Sequence, residues 1–212
     1  MAMRQLQLAL DLLDLDKARK AAASAALHID VVEVGTLLCL SEGMHAVRAL
    51  RRDHPDKVIV ADVRIVRAGK NIAQMAFDAG ADWVSTVAEA PMETIESALE
   101  VAKRFKGELQ VELNEGWTLQ QAKTWFAMGI RHVIAHCTAE VEAVGSGWSQ
   151  RTVETLQTLA GMGFTVTAAG GIDAKTLPAL AQTPAHVFVV GRSIAAATDP
   201  GAAAAEMKAL LT

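Results

Sequence analysis

The chain has 212 residues, of which 51% are hydrophobic and 21% charged, enough to bury one substantial core. A net charge of −4, aromatics at 4% and the absence of Tyr leave neither a basic surface nor a stacking platform for nucleic acid. Two cysteines, Cys39 and Cys137, make no disulfide framework, no stretch reaches 18 uninterrupted apolar residues, and Asp11, Asp14 and Asp16 cut the N-terminal apolar run before any cleavage site. The expectation is a cytoplasmic protein without membrane or nucleic-acid partners.

In chain order, a strand-then-helix unit recurs eight times. Strands are expected over 6–10, 30–34, 58–61, 83–87, 109–113, 132–135, 164–168 and 187–190, from their β-branched and apolar runs. Helix-period segments rich in Ala, Leu, Glu and Lys lie between them, as at 14–26, 92–105 and 119–128. Gly80, Gly129 and Gly163 each stand between a helix end and the next strand, where the cap residue requires positive φ. Units of roughly 22 to 32 residues match the repeat that closes an eight-stranded barrel. With no Pro/Ser-rich linker or charge block, the sequence predicts an α/β fold, a single (β/α)8 TIM barrel over residues 1–212. A six-stranded open sheet is the rival architecture.

The third strand shows the pattern most plainly. In Val58-Ile59-Val60-Ala61-Asp62-Val63-Arg64-Ile65-Val66-Arg67 charges appear only at the C-terminal end, where barrel active sites are built. Asp62 and Arg64, two apart, share a side of an extended chain, and an ion pair closing the barrel top is the structural reading. Other strands end alike: Asp11, Glu33, Glu112 and His136 all fall at predicted C-terminal ends. Clustered like charges repel unless a cation or substrate uses them. The last two strands run into Ala169-Gly170-Gly171 and Gly191-Arg192-Ser193, glycine turns opening short helices. Such turns bring backbone N–H groups to an anion, and Arg192 adds a fork suited to phosphate.

These residues carry a resemblance along essentially the whole chain. Leu8-Ala9-Leu10-Asp11, Ile29-Asp30-Val31-Val32-Glu33-Val34-Gly35-Thr36, the third-strand stretch, Gln110-Val111-Glu112-Leu113, His136, Ala169-Gly170-Gly171-Ile172 and Val190-Gly191-Arg192 resemble the 3-keto-L-gulonate 6-phosphate decarboxylase and 3-hexulose-6-phosphate synthase group. That group sits within the orotidine monophosphate decarboxylase suprafamily. The resemblance implies a homodimer with active sites at the interface, Mg²⁺, and an enediolate formed from a sugar phosphate. It implies Glu33 and Asp62 as metal ligands, and Asp62, Arg64, Glu112 and His136 as catalytic residues. Asp11, Arg67, Ala169, Gly170, Gly171, Gly191 and Arg192 would bind substrate. Trp117-Thr118 and Gly35-Thr36-Leu37-Leu38-Cys39 look closer to the decarboxylase branch.

The chain departs from the group's third-strand signature, Asp-x-Lys-x-x-Asp. Arg64 replaces the lysine and keeps its charge without a proton that it releases easily; Arg67 replaces the second Asp. Ala139 and Ala169 stand where the decarboxylase branch has Arg and Thr, and lean towards the synthase branch. Four readings follow: a Mg²⁺-dependent decarboxylase, an aldolase-like synthase, another enolisation such as epimerisation, or a sugar-phosphate binder without catalysis.

Overall fold

The computed structural model describes residues 4–113, 116–137, 148 and 150–211. Eight parallel strands among them close into one barrel in sequence order, β1 (Gln5–Leu10), β2 (Val31–Val34), β3 (Val58–Ile65), β4 (Trp83–Val87), β5 (Glu108–Glu112), β6 (His132–His136), β7 (Thr165–Ala169) and β8 (Val187–Val190), with β8 pairing back onto β1. The α/β TIM-barrel expectation holds, and every predicted strand is present. Closure of the eight described strands leaves no open sheet edge among them.

The outer layer consists of α1 (Leu15–Ala25), α2 (Thr36–Glu42), α3 (Met44–Asp53), α4 (Gly69–Asp78), α5 (Met92–Phe105), α6 (Leu119–Met128), α7 (Gln150–Gly161), α8 (Leu177–Leu180), α9 (Arg192–Ala195) and α10 (Pro200–Ala209). Local chemistry sets their ends. The Asp14 side chain caps α1 by accepting from Lys17 N, and Thr118 with Gln121 forms a capping box on α6. Gly80, Gly129 and Gly163 have φ of 100°, 104° and 94°, the left-handed conformation expected of them. No helix among the described residues is long and apolar enough to cross a membrane.

The main core lies between strands and helices. Leu6, Leu8, Leu10, Ile59, Val84, Val111, Val133, Val166 and Phe188 point outward from the barrel and are fully or almost fully buried under the helices. Each such side chain contributes about 1.5–3 kcal/mol. The alanine tracts serve close packing: α1 buries Ala18, Ala21, Ala22 and Ala25, and Gly201 of α10 comes near enough to donate its N–H to Ser24 Oγ at 3.0 Å.

The inward face differs. Its lower layers hold Gln7, Gln110, His132 and Thr167, all nearly inaccessible. His132 links Glu108 to Thr167, at 2.9 Å through Nδ1 and 2.6 Å through Nε2, so these groups tie β5, β6 and β7 together. Above them Ala9, Ile134, Ala169 and Val189 form a small apolar cluster of their own on the β1, β6, β7 and β8 side.

Three strands run past their predicted ends, β6 and β7 by one residue each and β3 by four. β3 continues to Ile65, and its register with β4 shifts: Ala61 pairs with Val84 while Ile65 pairs with Thr86. Four residues of β3 therefore span two of β4, a bulge that carries Asp62, Val63 and Arg64. Arg64 has φ 45°, and Ala68, just before α4, has φ 55°.

Candidate active site

A cavity of about 570 Å³ opens at the C-terminal end of the barrel. Asp11, Glu33, Asp62, Arg64, Glu112, His136, Ala169, Gly170, Gly171, Gly191 and Arg192, anticipated from the sequence, all line it. They come from seven strands of the barrel, and closure alone brings them together.

Arg67 is the exception. It is exposed on the loop after β3 and does not line the cavity. The resemblance implied a substrate contact for it, and within its own barrel this geometry does not provide one. Ala139 lies outside the described residues.

The acids divide into two groups. Glu33 is buried, with one carboxylate oxygen taking the Gln7 amide N–H. Asp62 accepts the Thr36 hydroxyl at 2.5 Å and the Ser85 hydroxyl at 2.6 Å. Burial first, then the charges of Asp62 and Asp11, push the Glu33 carboxyl well above the usual carboxylate range. Asp62 is also raised, chiefly by burial, with the Ser85 and Thr36 hydroxyls acting against that. Asp11 stands at the rim against Gly35: a Cβ at 35 would lie 2.3 Å from Asp11 Oδ1. A side chain at 35 would have to push the Asp11 carboxylate aside and would press on the Leu10 carbonyl at 3.0 Å.

The second group is Glu112 with Arg64 and His136. Arg64 forms an ion pair with Glu112, and His136 Nδ1 lies 2.7 Å from the same Oε1. The sequence reading paired Arg64 with its neighbour Asp62, and this is corrected. The bulge and the positive φ turn the guanidinium over β4 to β5, leaving Asp62 to two hydroxyls.

Opposite the acids lie the glycine turns. Gly170 and Gly171 have φ of 94° and 59°, and Ser193 Oγ donates to Ile172 O at 3.1 Å, joining the β7 and β8 turns. The Gly170 carbonyl accepts from Trp148 Nε1 at 3.0 Å. Among the described residues the N–H groups of Gly170, Gly171 and Gly191 meet no backbone acceptor, and exposed Arg192 stands beside them. Such an arrangement suits an anion.

Sequence reasoning missed Gln7 and Ser85, and gave Thr36 and Gln110 no role of their own. Their signal was available: Gln7, Ser85 and Gln110 are polar residues inside otherwise apolar strands, and a buried strand keeps such a residue where the barrel interior uses it. Among the described residues the buried Oε1 atoms of Gln7 and Gln110 have no hydrogen-bond partner.

Whether the acids suit Mg²⁺ is testable on these observations. Among the described residues no three His, Cys, Asp or Glu side chains converge as a ready cage. Mg²⁺ usually takes one or two carboxylates and completes its shell with water and ligand oxygens. Two carboxylates raised chiefly by burial, Glu33 also by the charge of Asp62 and Asp62 by that of Glu112, have the donor chemistry for that ion, and Glu33 with Asp62 fit it.

A closed parallel barrel with its acids on one half of the mouth and glycine turns on the other defines the class: a TIM barrel with a polar, asymmetric mouth. More particularly, the chain belongs to the orotidine 5'-phosphate decarboxylase / HUMPS family, whose model matches residues 4–207. It is 40% identical over 208 residues to the 3-keto-L-gulonate-6-phosphate decarboxylase UlaD of Escherichia coli O17:K52:H18, covering 98% of this chain and 96% of that one. Its fold superposes on KGPDC from Streptococcus mutans in complex with a sugar phosphate with a TM-score of 0.95, at 34% identity and coverage of 98% and 97%. The 3-hexulose-6-phosphate synthase of Salmonella typhimurium gives 0.89 at 28% identity, covering 98% of each chain.

Proposed function

We propose that this protein is a carbon–carbon lyase acting on a sugar phosphate, a decarboxylase of the 3-keto-L-gulonate 6-phosphate type. The observation that carries the reading is the divided mouth: buried carboxylates and a Glu112–His136 pair face glycine turns whose N–H groups meet no backbone acceptor among the described residues. The full-length match to UlaD and the sugar-phosphate complex of the S. mutans relative support the substrate class.

In this reading Gly170, Gly171, Gly191 and Arg192 hold the phosphate, and the rest of the ligand lies across the cavity towards β2–β5. Glu33 and Asp62 would hold Mg²⁺, with Thr36 and Ser85 fixing both Asp62 oxygens. When bound, the ion would supply positive charge where negative charge grows on the ligand. The bond between the carboxylate and the ligand breaks, its electron pair moves into the neighbouring carbonyl, and carbon dioxide leaves. The resulting enediolate then takes a proton at carbon. Glu112 accepts from His136 Nδ1 and so orients the ring for that proton step. Asp11 at the rim contacts ligand hydroxyls.

Ala169 favours a second reading. It belongs to the apolar cluster with Ala9, Ile134 and Val189, and a small apolar residue there leans towards the synthase, which joins formaldehyde to a pentulose phosphate.

A homodimer is part of the proposal. Leu13, Leu37, Leu40 and Val66 are exposed on segments that follow the C-terminal ends of β1, β2 and β3, with Leu40 78% accessible. An apolar rim of this kind supports contact with a second copy.

The test is turnover by purified protein with Mg²⁺. Carbon dioxide released from 3-keto-L-gulonate 6-phosphate is the expected result. Condensation of formaldehyde with ribulose 5-phosphate instead would replace the decarboxylase by the synthase. Phosphate-dependent thermal stabilisation without either reaction would leave a binder.

A further inference from the structure

Arg64 presents a combination of features that the proton step above leaves unused. Its backbone is left-handed, a conformation that a long L side chain adopts only where its surroundings hold it. Those surroundings are visible: Arg64 N donates to Ser85 Oγ at 2.9 Å, and the same hydroxyl donates to Asp62 Oδ1. So held, the side chain crosses from β3 to β5 and its Nη2 engages Glu112 Oε1. That oxygen is shared with His136 Nδ1. Among the described residues no group engages His136 Nε2, and the ring lines the cavity.

A guanidinium does not give up protons at accessible pH, so its contribution is charge and geometry. Glu112 is nearly buried, and a carboxylate with only an imidazole partner keeps freedom about its last torsion. A second, charged donor on the same oxygen removes that freedom and sets the direction of the remaining lone pair.

We propose that Arg64 is a positioning residue that acts through Glu112: it locks His136 with the proton on Nδ1 and makes Nε2 the nitrogen that exchanges a proton with the ligand. The geometric half stands by itself, and the proton-transfer half rests on the lyase reading. In that half the imidazolium Nε2–H bond breaks as a C–H bond forms at the enediolate carbon. Neutral imidazole remains, protonated on Nδ1, and water restores the Nε2 proton. The positive charge that the group's lysine position usually supplies is thereby kept, while the proton comes from the histidine.

The experiment uses the full chain, ¹⁵N-labelled in histidine and without ligand. The wild type should show a low-field Nδ1 proton for His136, identified by its loss in His136→Asn. Arg64→Gln should lose that signal to solvent exchange, and Arg64→Lys should retain it, because an ammonium can take the same carboxylate. The buried His132, tied to Glu108 and Thr167, should keep its signals throughout and so reports an intact barrel. A wild type without the low-field proton, or Arg64→Gln with the wild-type signal, overturns the proposal. If Arg64→Gln disturbs the His132 signals, the comparison is made with Glu112→Gln, which must remove the same proton. In turnover, Arg64→Gln should lower kcat at nearly constant KM, with partial rescue by Arg64→Lys. A rise in KM at unchanged kcat would place Arg64 on the ligand and overturn the positioning role. A wild type with the low-field proton and no lyase turnover would remove the lyase reading and leave the lock standing.

Discussion

Gly170 passes so close to Cys137 that a Cβ at position 170 would lie 1.7 Å from the Cys137 carbonyl oxygen. Since φ at 170 is 94°, two independent constraints require glycine there. Gly170→Ala should cost at least about 1 kcal/mol from the backbone conformation alone. The clash adds to that by forcing the β6 and β7 turns apart. Thermal unfolding with and without a phosphorylated ligand checks this, and the ligand-induced shift in Tm should shrink with the stability.

Arg192 is exposed at the cavity, so its removal should spare the fold. Arg192→Ala should weaken a phosphorylated ligand by about 1.5–3 kcal/mol, the range for hydrogen bonds to charged groups. Titration calorimetry would read this as a rise in Kd of roughly 10- to 150-fold. Unchanged affinity would take Arg192 out of the phosphate site.

The raised Glu33 carboxyl has a consequence for pH dependence in metal-free solution. The folded state holds its proton to higher pH than the unfolded chain does. Stability therefore falls as pH rises from the ordinary glutamate value through the folded one, and the penalty is complete above that. Glu33→Gln should remove this slope, so the metal-free variant is as stable as the wild type or more so at neutral pH. It should also lose Mg²⁺-dependent stabilisation. Thermal melts across pH, with chelator and then with Mg²⁺, measure both; Mg²⁺ stabilisation that survives in both Glu33→Gln and Asp62→Asn would make these acids structural.

Cys39 donates through Sγ to Val34 O at 3.3 Å, and burial, followed by the charges of Asp62 and Glu33, pushes its thiol up to about 12. Thiolate is the reactive form, so Cys39 should resist iodoacetamide at neutral pH and react only after unfolding. Mass spectrometry of the folded and denatured protein after alkylation checks this.

The barrel was legible in the sequence because its strands are β-branched runs set off by glycine, and because eight successive strand–helix units admit few other closures. The strand-end acids were legible for the same reason: each interrupts an apolar run at its end. The partner of Arg64 was not. Asp62 is two residues away and Glu112 is 48, and the choice between them rests on a bulge against β4 that no local pattern announces. Ser85 and Gln7 were passed over because a single hydroxyl or amide in a strand reads as tolerated polarity until its partner across the barrel is seen.

The bulge in β3 also separates where the side chain at 64 is delivered from what it is. Backbone direction there comes from the register shift and from the Ser85 hydroxyl, neither of which involves the guanidinium. Position 64 thus behaves as a socket: evolution or design can exchange the group presented above Glu112 while the strand, the ladder and the acids of the neighbouring strands stay in place. A barrel with one such socket can try a new reaction by a single substitution, with its ligand-holding turns on the far side undisturbed.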